Sequence, residues 1–140
     1  MTPLSAGGTV VMACNALAIG ARLVIASFTP AAVLHLLAAE GIEFAGLVPT
    51  MIAMLADAAP PGWRAPALRR LYYGASAMPQ GLFSRAQQLF RCEFQQGYGM
   101  TETCICGTRL DPSDHTLDVP DRIASAGKPM TGVEIGRAHV

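Results

Sequence analysis

Within six residues, Gly97, Tyr98, Gly99, Met100, Thr101 and Glu102 combine a flexible turn, an aromatic face, a hydroxyl and a carboxylate. That combination suits a nucleotide. A tyrosine ring can lie against a purine, and a threonine hydroxyl can donate to a phosphate oxygen. A glutamate can hold Mg²⁺, the hard cation that offsets phosphate charge. The same residues also fit an ordinary glycine turn around a buried tyrosine, because short glycine motifs recur by chance. A dinucleotide GxGxxG pattern fails, since Glu102 stands where its third glycine is required. A Walker phosphate loop fails too: Lys128, the sole lysine, is followed by Pro129 rather than Ser or Thr. Ser76 does not sit in a GxSxG elbow. His115 lies among Asp111, Asp114 and Asp118, which reads as a solvated surface loop.

Short β-rich runs alternate with helical stretches from Gly20 onward, the order that builds a parallel sheet. Ala21–Ser27 reads as an apolar strand. Thr29 and Pro30 offer an N-cap and a first-turn proline for a helix running to about Glu40, with Gly41 placed for a left-handed C-cap. A second strand, Glu43–Val48, leads into a helix carrying Met51, Ile52, Met54 and Leu55. After the break at Pro60–Gly62, a strand over Arg70–Tyr73 runs into Gly74–Met78. The helix opened by Pro79 has one apolar stripe of Leu82, Phe83, Ala86, Leu89 and Phe90. A strand over Glu93–Gln96 delivers Gly97–Glu102, and Cys104–Leu110 reads as a further strand. Right-handed crossovers bring the segments after Val48, Tyr73 and Gln96 to the same carboxyl edge of the sheet, where open α/β folds bind ligands.

At 140 residues the chain allows one domain, and its 14% charged content is low enough to suggest a piece of something larger. Ten basic residues balance ten acidic ones, so nothing attracts the chain to nucleic acid or an anionic bilayer. Cys14, Cys92, Cys104 and Cys106 form no CxxC pair, which points to buried free thiols in the cytoplasm rather than to a zinc site. Thr9–Phe28, the one apolar stretch of membrane-like length, is interrupted by Asn15, Gly20 and Arg22, so no transmembrane segment is expected.

Tyr73–Pro79, followed by Gln96–Thr103, resembles the adenylate-forming (AMP-binding) superfamily, above all its acyl-CoA and aryl-CoA synthetases. Supporting matches lie at Thr2–Leu4, Gly7–Gly8, Ala18–Val24, Phe28–Leu34, Val48–Met51 and Gly127–Gly132. Methionine after the second glycine is more similar to acyl-CoA ligases than to peptide-synthetase adenylation domains, which usually have proline there. The resemblance implies an α/β fold: a partial parallel sheet with flanking helices, cut from the large N-terminal domain.

It also implies a reaction. A carboxylic acid attacks the α-phosphate of ATP to give an acyl-adenylate and pyrophosphate, and a thiol, normally that of coenzyme A, then takes the acyl group. Carried over, Gly74, Ala75 and Ser76 line the adenine and acyl pocket, and Gly97 borders the acyl chain. Tyr98 flanks adenine, with Gly99 and Met100 in the same nucleotide-binding stretch. Thr101 contacts the α-phosphate and Glu102 binds Mg²⁺, making these two the catalytic pair. ATP or AMP, Mg²⁺ and coenzyme A are the implied cofactors, and a small carboxylic acid is the partner.

Departures from the family matter as well. The phosphate loop, the ribose-binding aspartate and the C-terminal catalytic lysine are missing, and Lys128 matches a structural Gly-Lys-Pro segment instead. The histidine usual after Ser5 is missing too. A middle slice of a much longer enzyme, inactive alone, is therefore expected. The competing class is a non-catalytic degenerate fragment or interaction module. Residues 1–134 read as the partial AMP-binding domain, and Ile135–Val140, which resembles a translated sequencing adapter, reads as a non-native tail.

Overall fold

The computed structural model describes residues 7–136; Thr2–Leu4, Ser5 and the end of the expected tail, 137–140, lie outside the described residues. Helix α1 spans Gly7–Ala18 and α2 spans Pro30–Ala39. Thr29 caps α2 through its hydroxyl, which accepts from the Ala32 amide at 3.3 Å, and Pro30 occupies the first turn, where its missing N–H costs nothing. Gly41 follows at φ +63°, the left-handed conformation that ends the helix. Strand β1 (Phe44–Leu47), helix α3 (Pro49–Ala58), strand β2 (Arg70–Tyr73), helix α4 (Gln80–Phe90) and strand β3 (Glu93–Tyr98) continue the alternation. Then come β4 (Thr108–Leu110), α5 (Pro120–Ala124) and β5 (Lys128–Pro129), with 3₁₀ turns at Thr101–Thr103 and Pro112–Asp114.

Among the described residues the strands form one sheet in the order β1-β2-β3-β4-β5. β1, β2 and β3 are parallel, with Leu47 beside Tyr73 and Tyr73 beside Gln96. The period of two sends Leu71, Tyr73, Phe94 and Gln96 to one face. There the apolar members join Ile52 and Leu55 of α3 and Phe83, Ala86 and Phe90 of α4 in the core. Phe83 meets Phe94 edge-on at 5.2 Å between ring centres, and Trp63 meets Phe90 likewise at 5.7 Å. The Trp63 indole donates to the Leu34 carbonyl at 3.1 Å, which ties α2 to the same core without leaving a buried donor unpaired. On the opposite face Met12 of α1 sits so close to Gly46 that a Cβ there would fall 2.2 Å from its methyl carbon.

Three expectations need correction. Ala21–Ser27 is not a strand: no described strand runs beside it to exchange backbone hydrogen bonds, and Leu23, Val24 and Ile25 are 37%, 36% and 58% exposed. β-branched composition favours extended backbone, but a strand exists only where a neighbour completes its ladder. The run Cys104–Leu110 shortens to β4, which pairs antiparallel with β3 because the chain turns back through 99–107. The free cysteines are not a buried set: Cys14, Cys104 and Cys106 are exposed and Cys92 is half-buried.

Candidate functional site

The parallel register that sets Tyr73 beside Gln96 carries the next residues, Gly74 and Gly97, out together at the carboxyl edge. A Cβ on Gly74 would lie 2.8 Å from the Gly97 carbonyl oxygen, so the two loops touch backbone to backbone. Gly97 is covered by Tyr72, whose hydroxyl would stand 1.6 Å from a Cβ at that position. Any larger residue at 97 must displace the Tyr72 ring. Burial foremost, with a smaller electrostatic contribution from nearby Cys106, pushes the Tyr72 hydroxyl above its usual pKa of 10.0 and keeps it a neutral donor. Ala75 continues the first loop at φ +70°, a strained conformation for a residue with a Cβ, and exposes both itself and Ser76.

The second loop is held by its own backbone. The Met100 amide donates to the Thr103 hydroxyl at 3.0 Å, the Ile105 amide donates to the Met100 carbonyl at 2.9 Å, and the Gly107 amide closes onto the Tyr98 carbonyl at 3.1 Å. Cys104 and Ile105 are both left-handed, at φ +50° and +64°. For the β-branched Ile105 this is a sparsely populated state, of the order of 1–3 kcal/mol of strain, of the kind that gathers at functional turns. Thr103 braces the turn, so Thr101 and Glu102 point their side chains to solvent with no hydrogen bond or ion pair to a described residue. Tyr98 is 51% exposed, which removes the reading of a buried tyrosine in an ordinary turn.

These residues fit the group that the resemblance implies. Mg²⁺ keeps several waters and is held by one or two carboxylates together with substrate phosphates, and Glu102 is an exposed carboxylate without a partner among the described residues, next in sequence to the Thr101 hydroxyl, which likewise has none there. An exposed aromatic ring on the preceding strand, Tyr98, supplies an open stacking surface for a base.

His115 is not in a solvated loop. The 3₁₀ turn at Pro112–Asp114 folds it back onto the sheet, where its ring packs against Tyr73, Phe83 and Phe94 at 5.6, 5.7 and 6.4 Å between ring centres. Its Nδ1 lies 2.9 Å from the Asp111 carbonyl oxygen, which can only accept, so Nδ1 carries the proton. Burial lowers the His115 pKa from 6.5, against the opposing pull of the Asp111 carbonyl and of Asp114 and Asp111. In the unfolded chain the ring therefore binds a proton more readily than in the folded one. The stability it contributes is complete above pH 6.5 and is lost as pH falls through the lower folded value. Urea titrations over that window should show wild-type stability declining on acidification and His115→Phe declining less. Tyr72, Tyr73, Thr103 and His115 were all missed as site-shaping residues by reading the chain. The alternation of Arg70–Tyr73 was the one available signal, since it sends the two tyrosines to opposite faces.

A family described as AMP-binding enzyme matches residues 1–136. A medium/long-chain-fatty-acid–CoA ligase of Mycobacterium tuberculosis is 33% identical over 129 residues, covering 91% of this chain and 22% of that protein. A long-chain-fatty-acid–CoA ligase of Thermus thermophilus is 40% identical over 120 residues, covering 84% of this chain and 22% of its own length. The O-succinylbenzoate coenzyme A synthetase of Bacillus subtilis, solved in complex with AMP, superposes with a TM-score of 0.75 at 25% identity, over 92% of this chain and 32% of that one. The chain thus spans about a fifth of the length of the curated ligases it matches.

Proposed function

This chain belongs to the AMP-binding enzyme family, and from that premise we propose that it forms part of an ATP-dependent carboxylic acid–CoA ligase, with residues 1–134 as a partial AMP-binding domain. The observation that carries the reading is the meeting of Gly74 and Gly97 backbones next to a segment in which Tyr98, Thr101 and Glu102 are exposed and the Thr101 and Glu102 side chains have no partner among the described residues. In the reaction a carboxylate oxygen bonds to the α-phosphorus of ATP while the bond to the bridging oxygen breaks and pyrophosphate leaves. A thiol sulfur, that of coenzyme A, then bonds to the acyl carbon and AMP departs.

The chemical obstacle is charge, since an anion approaches a phosphate that is already anionic. Tyr98 orients the purine by stacking, and the Thr101 hydroxyl donates to an α-phosphate oxygen. Mg²⁺ held by Glu102 supplies charge neutralisation. None of these groups becomes covalently attached to substrate, so their contribution is positioning and electrostatic stabilisation. Tyr72, lying over Gly97, closes the side on which the acyl chain runs. ATP chemistry and free thiols suit a cytoplasmic setting; among the described residues no helix is long and apolar enough to cross a membrane.

Calorimetric titration of the 140-residue chain tests this reading. AMP should bind, and Tyr98→Ala should cost about 1–3 kcal/mol of that affinity, the usual worth of a base stacked on an aromatic ring. Glu102→Gln should leave AMP binding nearly unchanged while removing the Mg²⁺ dependence of ATP binding. Pyrophosphate exchange into ATP should be undetectable, because these residues are about a fifth of the relatives' length. Turnover would refute the claim of a binding part without activity. Loss of all nucleotide binding would favour the interaction module, for which exposed Leu17, Ile19 and Ile25 provide an apolar surface.

A further inference from the structure

Directly beneath the two glycine loops runs a chain of polar groups that the reaction above does not use. Tyr73 is fully buried, and its hydroxyl lies 3.0 Å from His115 Nε2 and 3.4 Å from Gln96 Oε1, itself in a side chain that is only 5% exposed. Tyr73 precedes Gly74 and Gln96 precedes Gly97, so these contacts meet both strands one residue before they enter the site. Buried polar groups of this kind must be paired, and a paired set in a low-dielectric core fixes geometry closely.

The hydroxyl has a single hydrogen, which settles how the chain can be wired. With Nδ1 donating to the Asp111 carbonyl, a neutral His115 presents Nε2 as an acceptor, and Tyr73 donates to it at the shorter of its two contacts. A proton added at Nε2 turns that nitrogen into a donor. Tyr73 must then accept from His115 and swing its hydrogen to Gln96 Oε1. One protonation thus reverses the bond between His115 and Tyr73 and turns the 3.4 Å contact between Tyr73 and Gln96, which carries no hydrogen while the ring is neutral, into a hydrogen bond.

We propose that His115 is a positioning residue whose protonation state, relayed through Tyr73 to Gln96, sets the alignment of the Gly74 and Gly97 loops. The neutral ring holds the arrangement seen here. Its surroundings are mixed in charge: Asp111 and Asp114 belong to its own turn, Tyr73 comes from β2, and Gln96 and Phe94 come from β3. Phe83 of α4 brings no charge, and Arg122 of α5 and Lys128 of β5 approach Asp114 at 3.8 and 3.9 Å. The pair of cations damps the pull of Asp114, and the apolar rings disfavour the imidazolium, which agrees with the lowered pKa of the ring. The consequence for affinity rests on the nucleotide-binding reading; the relay itself does not.

Nitrogen and proton resonances of the intact chain, followed through the titration of the ring, test the inference. His115 should show the Nδ1–H tautomer when neutral, and the Gly74 and Gly97 amides should shift with the same midpoint as the ring. Tyr73→Phe keeps the aromatic packing but removes the hydroxyl, and there the glycine amides should stay still while His115 continues to titrate. His115→Phe, which retains His35, should abolish the shifts as well. AMP titrations on either side of the midpoint should show severalfold weaker binding with the ring protonated in wild type and a smaller change in Tyr73→Phe. That comparison cancels the titration of the AMP phosphate itself. Glycine amides that ignore the ring, or that move equally in Tyr73→Phe, overturn the inference, as does an AMP affinity with the same pH dependence in both proteins. If AMP binds neither protein at any pH, the functional reading fails, and the glycine resonances still decide the relay.

Discussion

Truncating Phe83 to alanine should remove about 3–5 kcal/mol of stability, the usual cost of deleting a buried aromatic ring. Phe83 has no exposed surface, meets Phe94 edge-on at 5.2 Å and packs against the His115 ring. It joins α4 to β3 and to the returning turn, so the cavity would open where helix, sheet and loop converge. Domains hold together by only about 5–15 kcal/mol in all, so much of the variant population should be unfolded or nearly so. Urea denaturation followed by circular dichroism measures this as a lower midpoint with an unchanged slope. Phe83→Leu, which keeps most of the volume, should cost less than about 1.5 kcal/mol. Equal losses in the two variants would show that ring packing is not what Phe83 supplies.

Gly99→Ala should strike the site and spare the sheet. A Cβ at this position would lie 2.3 Å from the Ile105 carbonyl carbon and 2.4 Å from its oxygen, both backbone atoms that no change of rotamer can move. The turn has to open. In doing so it loses the bonds from Ile105 to Met100 and from Gly107 to Tyr98, which hold Thr101 and Glu102 in place. AMP affinity should fall by about tenfold or more, equivalent to roughly 1.4 kcal/mol, while far-ultraviolet dichroism stays near wild type. Gly81→Ala is the control: nothing lies within 4 Å of a Cβ there, and alanine inside α4 should stabilise by about 0.5–1 kcal/mol with binding intact. Retention of full AMP affinity by Gly99→Ala would mean that the turn does not shape the nucleotide site.

Much of this architecture was written locally. Thr29 and Pro30 start α2 and Gly41 ends it, because a hydroxyl cap, a first-turn proline and a residue free to be left-handed act within one helical turn. The apolar spacing of Phe83, Ala86 and Phe90 likewise selects the buried face of α4 before any partner is present. Gly97–Glu102, together with Tyr73–Pro79, was enough to identify the family, because two such motifs at this spacing rarely coincide.

What the amino-acid sequence determined by itself, then, was the strand–helix order from Thr29 to Gln96, the ends of α2, the start of α4, the family and the loops that should meet at one sheet edge. Tertiary structure alone decided that Ala21–Ser27 forms no strand, that β4 runs antiparallel, that Tyr72 covers Gly97 and that His115 inserts beneath the site. The division has one physical cause. Caps, turns and periodic faces depend on interactions within a few residues, whereas a strand's partner, a glycine's neighbour and a histidine's burial depend on groups brought from distant parts of the chain. Tyr73 and His115 are 42 positions apart, and only folding brings them within hydrogen-bond distance.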